Sequence, residues 1–163
     1  MSPLKRSYLK GLTFGVASGI VTTLGLMVGL YSGTHSKLAV LGGILTIAIA
    51  DAMSDAFGMH LSEESSEHNG HSQIWESMVA TFLAKLVIAL TFALPVILLD
   101  LQEAIFISFG WALLLLGIVS IMIAGWRKES KTHAILEHWG IATAVVIIAF
   151  YVGVLIDKFF GNV

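Results

Sequence analysis

Residues 13–31 read TFGVASGIVTTLGLMVGLY, and this segment contains no charged side chain. An α-helix rises about 1.5 Å per residue, so the segment would be about 28 Å long. That length matches the hydrocarbon core of a bilayer, which is about 30 Å thick. The segment is too long for a signal peptide, and its Leu30-Tyr31-Ser32 end offers no convincing cleavage site. The sequence therefore predicts a retained transmembrane helix.

Apolar segments of similar length recur along the rest of the chain. They are residues 38–60, 78–99, 104–125 and 139–156. Hydrophobic residues make up 56% of the chain and charged residues 12%, whereas a soluble domain has roughly 25% charged residues. We therefore predict an all-α integral membrane protein, with a single transmembrane domain over residues 1–163 that forms a bundle of five helices. It would be a multi-pass protein, of the cell membrane if the source is prokaryotic.

The basic residues predict the orientation of the bundle. Six lie at the N-terminus and between the fourth and fifth segments, namely Lys5, Arg6, Lys10, Arg127, Lys128 and Lys131. The opposite side has only Lys37 and Lys158. The positive-inside rule then predicts a cytosolic N-terminus and an outside C-terminus. Residues 61–75 would form a cytosolic segment rich in acidic and histidine residues.

Several function classes are disfavoured by what the sequence lacks. The net charge is −2 and no basic stripe is present, which argues against binding of nucleic acid. The chain has no cysteine, so disulfides and thiolate metal ligands are excluded. The HExxH and GxSxG motifs of zinc proteases and acyl-transfer enzymes are missing as well. The sequence predicts that the protein is not an enzyme and that its main surroundings are the lipid bilayer.

Three charged residues fall inside the predicted spans, namely Asp51, Asp55 and Lys85. A charge at that depth costs at least a few kcal/mol, so it usually faces a partner, a cavity or a substrate path. The i, i+4 spacing places both carboxylates on one helix face, and all three charges lie roughly 9 to 15 Å from the cytosolic side. Lys85 could neutralise one carboxylate and hold two helices in register. The carboxylates could instead form a hard cation site or a proton relay, with Lys85 as charge partner and in proton coupling.

Neutral ligands are available at matching depths. Ser18 and Thr22 lie roughly 9 and 15 Å from the same side. Hydroxyl groups in membrane helices often bond to their own backbone, but beside the carboxylates we predict both as secondary metal ligands. Met59 would add a thioether, although methionine in such helices more often fills space.

The cytosolic segment contains residue types that bind first-row divalent metals. We predict that it collects metal through His60, Glu63, Glu64, Glu67, His68 and His71. The alternative is a solvated acidic loop without a binding role.

Two sets of glycines, each with a spacing of four residues, line the first span. They are Gly11, Gly15 and Gly19, followed by Gly25 and Gly29. This spacing allows a second helix backbone to approach closely, either within the chain or across a dimer. We predict a homodimer formed through this glycine-rich span.

Two segments carry a family resemblance. Residues 15–26 (GVASGIVTTLGL) and 51–62 (DAMSDAFGMHLS) resemble the first two helices of the vacuolar iron transporter family, and the last span fits more loosely. The resemblance implies five helices with a cytosolic N-terminus, a homodimer, and proton-coupled export of Fe²⁺ or a similar ion. In that family the path uses an aspartate of the first helix and a methionine of the second. Ser18 and Asp55 occupy those positions here, and the large cytosolic metal-binding domain is reduced to a short segment.

These features together predict a divalent metal ion transporter of the Fe²⁺ or Mn²⁺ class that exports from the cytosol by proton antiport. The substitution of methionine by Asp55 favours harder oxygen ligation, and hence Mn²⁺ beside Fe²⁺. The metal ion would be the substrate, and no permanently bound cofactor is expected. The alternative is a membrane scaffold or accessory subunit without transport activity, in which the Asp–Lys contact fixes helix register.

Overall fold

The computed structural model describes residues 3–66 and 70–161, and the elements in this part of the chain are five α-helices. They are α1 (Pro3–Thr34), α2 (Lys37–Glu64), α3 (His71–Leu98), α4 (Leu101–Arg127) and α5 (Lys131–Phe160). Each helix is long and apolar enough to cross a membrane. The predicted all-α, five-helix fold is confirmed, and the protein is a multi-pass integral membrane protein.

The helices extend beyond the predicted apolar segments. Helix α1 begins at Pro3 rather than at residue 13, and α2 continues past residue 60 to Glu64. Hydropathy marks only the part of a helix that lies in hydrocarbon, whereas lysine, arginine and glutamate favour the helix in water as well. Much of the predicted cytosolic segment 61–75 is helical, because α2 continues to Glu64 and α3 begins at His71.

Helices α1 and α3 form the centre of the bundle. Helix α3 packs along α1 and α2, while α1 also packs against α5 and α4. Helix α5 is the least buried of the five. The apolar core includes Ile20, Leu24, Ile44 and Phe92, which are fully enclosed or nearly so.

The glycine stripe of α1 is used inside the chain. A Cβ atom at Gly11 would lie under 3.0 Å from the backbone of Ser77 on α3. Farther along, Gly33 faces Gly153 of α5, where the two backbones come close in the same way. These contacts remove the stripe as a face for the predicted homodimer, because helices of the same chain already cover it.

Helix α2 keeps a face with small residues exposed. Five of them, spaced four apart, lie on its outside, namely Gly42, Thr46, Ala50, Ser54 and Gly58. A Cβ atom added at Gly42 or Gly58 would meet no atom within 4 Å. This face is therefore open to the surroundings of the bundle.

Helices α4 and α5 are joined by polar contacts within the bundle. The Trp139 Nε1–H group donates a hydrogen bond to the Leu113 carbonyl oxygen at 2.9 Å. Gly117 leaves room for this indole, whose Nε1 atom would be 3.8 Å from an added Cβ. Ser120 Oγ and His138 Nδ1 form a second contact at 2.7 Å. Trp139 fits an interfacial anchor by its place in the sequence, but the structure shows that it also links two helices.

We expect Trp139→Phe to lower the free energy of unfolding by about 0.6 to 1.7 kcal/mol, the usual value of an interhelical hydrogen bond in a membrane. An aromatic ring is kept, so the loss mainly reports the bond to the Leu113 carbonyl. Equilibrium unfolding of the purified protein in mixed micelles measures it. Trp126→Phe is the matched control, because Trp126 is 53% exposed. Equal stabilities of the two variants would contradict a role for the Trp139 bond.

Candidate functional site

The three charges predicted inside the spans meet at one point, together with Ser18. Lys85 Nζ lies 2.6 Å from Asp51 Oδ2 and also forms an ion pair with Asp55 Oδ2. It donates a further hydrogen bond to Ser18 Oγ at 3.0 Å. We call Ser18, Asp51, Asp55 and Lys85 the acid–lysine cluster.

Two features of the sequence position these side chains: the spacing of the two aspartates on α2 and a glycine on α1. Asp51 and Asp55 are one helical turn apart on α2, so both carboxylates reach toward α3. The stem of Lys85 crosses α1 at Gly19, where an added Cβ would lie 3.3 Å from Lys85 Cα and Cγ. A larger residue at position 19 would compete with this stem for space. The result is a lysine that is only 1% exposed.

Ser18 and Thr22 have different roles, although both were predicted as secondary ligands. The Ser18 hydroxyl donates a hydrogen bond to Asp55 Oδ2 at 2.5 Å and accepts one from Lys85. The Thr22 hydroxyl instead donates to the Ser18 carbonyl oxygen at 2.9 Å, within its own helix. The structure therefore brings Ser18 into the cluster and leaves Thr22 bonded to the α1 backbone, a common arrangement for threonine in membrane helices.

The charges in the cluster do not balance. Two carboxylates face one ammonium group, so the formal charge with all three ionised is −1. The three N–H donors of the ammonium are directed to Asp51, Asp55 and Ser18. The Asp51 and Asp55 side chains remain 32% and 23% exposed, whereas the Lys85 side chain is 1% exposed. The cluster thus encloses its cation, while part of both carboxylates lies at the surface of the bundle.

Met59 lies on α2 one turn beyond Asp55, toward the end of the helix. It is 7% exposed, so it belongs to the interior of the bundle. The contacts of the cluster do not include its sulfur, and its predicted role as a metal ligand stays a prediction.

The predicted metal-collecting residues point in several directions. Glu63 is buried and forms an ion pair with Lys10 of α1. His60 Nε2 is 3.8 Å from Glu64 Oε2, and His71 Nε2 accepts a hydrogen bond from Trp75 at 3.3 Å.

Glu67 and His68 lie outside the described residues. Among residues 3–66 and 70–161, no three His, Asp or Glu side chains converge to hold a metal ion. Glu63 is 3% exposed and so does not lie in a solvated loop, and collection of metal by this segment stays a prediction.

Sequence reasoning did not identify the Lys10–Glu63 contact. A signal was nevertheless present in the spacing. Lys10 precedes Ser18 by eight residues, and Glu63 follows Asp55 by eight residues. Two antiparallel helices that pair Ser18 with Asp55 therefore also bring Lys10 and Glu63 to one level.

In comparisons with known proteins, no family model matches the chain. No curated protein matches its sequence either. The findings support a five-helix, apolar membrane protein, and the resemblance to vacuolar iron transporters stays a prediction.

Proposed function

We propose that the protein is a transporter of divalent metal ions in which Lys85 and the metal ion compete for Asp51 and Asp55. One observation carries this proposal: a buried ammonium group lies between two carboxylates inside the membrane-spanning part of the bundle, and the site has one negative charge more than its lysine offsets. Charges at this depth are costly and usually belong to a substrate path. A lysine held in this way offsets one of the two carboxylate charges while no metal ion is bound.

Charge repulsion couples metal binding to the lysine. A divalent cation on both carboxylates would place three positive charges beside two negative ones if Lys85 stayed charged and in place. The ammonium must then move away or release its proton from Nζ. Release of that proton to the side from which the metal ion arrives, followed by reprotonation of Nζ from the opposite side, gives proton antiport. The carboxylate and hydroxyl oxygens of the cluster favour a hard divalent ion, which supports Mn²⁺ or Fe²⁺.

The direction of transport comes from the resemblance to vacuolar iron transporters, which implies export from the cytosol. With the predicted cytosolic N-terminus, the Lys10–Glu63 end of the bundle would face the cytosol, where the metal ion enters.

A homodimer is part of this proposal. Because the glycine stripe of α1 is covered within the chain, the dimer needs another face. The exposed small residues of α2 allow the closest approach of a second helix, and Asp51 and Asp55 lie on the same helix. Light scattering of the purified protein in detergent measures the oligomeric state, and a monomer would contradict this part of the proposal.

The transport proposal predicts that Asp51→Asn combined with Asp55→Asn lowers Mn²⁺ uptake into proteoliposomes at least about tenfold, since even indirect partners of metal ligands contribute that much. An internal pH dye should report less proton movement as well. Asp100→Asn is the control, because Asp100 lies at the start of α4 and its side chain makes no capping hydrogen bond. Equal uptake by the wild type and the double variant would refute the proposal.

A second candidate function is a scaffold or accessory subunit without transport activity. The observation in its favour is that the three donors of Lys85 are already bonded, so the cluster is satisfied without a metal ion. Thermal unfolding in detergent with Mn²⁺, Fe²⁺, Zn²⁺, Co²⁺ or Mg²⁺ separates the two functions. A transporter predicts a rise in melting temperature with its metal, whereas a scaffold predicts none.

A further inference from the structure

A second ion pair joins α1 to α2 nearer the end of the bundle. It links Lys10 of α1 to Glu63 of α2. The Glu63 side chain is 3% exposed, whereas the Lys10 side chain is 55% exposed. The Glu63 carboxylate therefore lies in the interior, and the Lys10 side chain reaches it from the surface.

This ion pair and the acid–lysine cluster lie along one seam between the helices. Lys10 precedes Ser18 by eight residues, and Glu63 follows Asp55 by eight. Ser18 and Asp55 form a further polar contact between α1 and α2. Eight residues of helix correspond to about 12 Å. The ion pair thus lies about 12 Å from the cluster, on the side of the α1 N-terminus.

A buried methionine lies between the two contacts. Met59 lies four residues from both Asp55 and Glu63, and it is 7% exposed. A cation that reaches the cluster along this seam must pass Glu63 and then Met59.

We propose that the Lys10–Glu63 ion pair is the gate between this end of the bundle and the acid–lysine cluster, and that the structure represents the closed state. The proposal rests on the transport function proposed above. Taking a cation away from a buried carboxylate is costly unless another cation replaces it. An arriving divalent cation provides that replacement at Glu63, and the exposed Lys10 side chain can swing into water. The same exchange of lysine for metal then repeats at Lys85.

The chain contains no cysteine, so a single introduced thiol can be labelled selectively. Met59→Cys introduces a single thiol beneath the ion pair, and a charged, water-soluble methanethiosulfonate reagent reports access to it. Lys10→Met combined with Glu63→Gln removes both charges of the gate. We expect this change to increase the labelling rate of the introduced thiol at least about tenfold, because it shifts the population toward the open seam.

Two further variants complete the experiment. Glu129→Gln removes a surface ion pair, in which the Arg127 side chain is 67% exposed and the Glu129 side chain 51% exposed. This variant should leave the labelling rate unchanged. Exchange of the charges by Lys10→Glu with Glu63→Lys should restore slow labelling. Equal labelling with and without the gate pair, or fast labelling of the exchanged pair, would overturn the proposal.

The labelling experiment is independent of the cargo. Faster labelling without any metal transport would overturn the proposed function and leave the gate standing. Transport with unchanged labelling would overturn the gate alone.

Discussion

Replacement of Lys85 by methionine is expected to lower the free energy of unfolding by about 3 to 5 kcal/mol, which is the usual cost of removing one partner of a buried ion pair. Methionine keeps most of the volume of the lysine stem, so the loss reports charge rather than packing. Without the ammonium, Asp51 and Asp55 face each other with no cation between them. Equilibrium unfolding in mixed micelles measures the change. Lys158→Met is the control, since Lys158 is exposed near the end of α5.

A triple variant separates charge from shape at the same site. Asp51→Asn and Asp55→Asn, added to Lys85→Met, remove all three charges and should recover most of the lost stability, because no charge remains unpaired. If the triple variant is as unstable as Lys85→Met alone, the charge explanation is wrong.

The second large effect is expected at Gly11. An added Cβ would lie under 3.0 Å from the carbonyl and Cα atoms of Ser77, and a backbone cannot rotate away as a side chain can. We expect Gly11→Ala to cost about 3 kcal/mol or more, at the upper end of the range for overpacking. The melting temperature, followed by fluorescence-detected size exclusion, measures this loss.

Gly110→Ala, on α4, is the matched control for Gly11→Ala. It adds the same methyl group to a helix glycine that has no atom within 4 Å of the new Cβ. We expect it to be neutral or to stabilise the protein by about 0.5–1 kcal/mol, because alanine favours the helix. Similar melting temperatures for the two variants would show that the α1–α3 crossing tolerates a side chain.

The meeting of Asp51, Asp55 and Lys85 could be predicted because helix rise converts residue number into depth. Depth alone does not determine how a helix is rotated about its axis. Ser18 and Thr22 match the two carboxylates in depth, yet the Thr22 hydroxyl bonds to its own helix. The rotation of α1 is determined by the packing of its glycines on α3 and α5, which is a tertiary contact. The glycine spacing predicted a close approach without identifying the partner.

The acidic end of α2 shows a related limit. Composition groups Glu63 and Glu64 as similar residues, but neighbours on a helix point about 100° apart. Glu63 turns inward to Lys10, while the Glu64 side chain stays 61% exposed. Their different environments depend on where α1 lies beside α2, and this position is not encoded in the local sequence.

The acid–lysine cluster also has a consequence for synthesis and membrane insertion. Helix α2 contains both acids, and their counter-charge is on α3, which the ribosome completes a few seconds later at normal elongation rates. A lone aspartate near the centre of a helix costs about 2.5 to 3.5 kcal/mol on insertion. Helix α2 should therefore remain at the translocon until α3 has been made. The two helices would then enter the lipid together as a hairpin, with Lys85 already paired with Asp51 and Asp55.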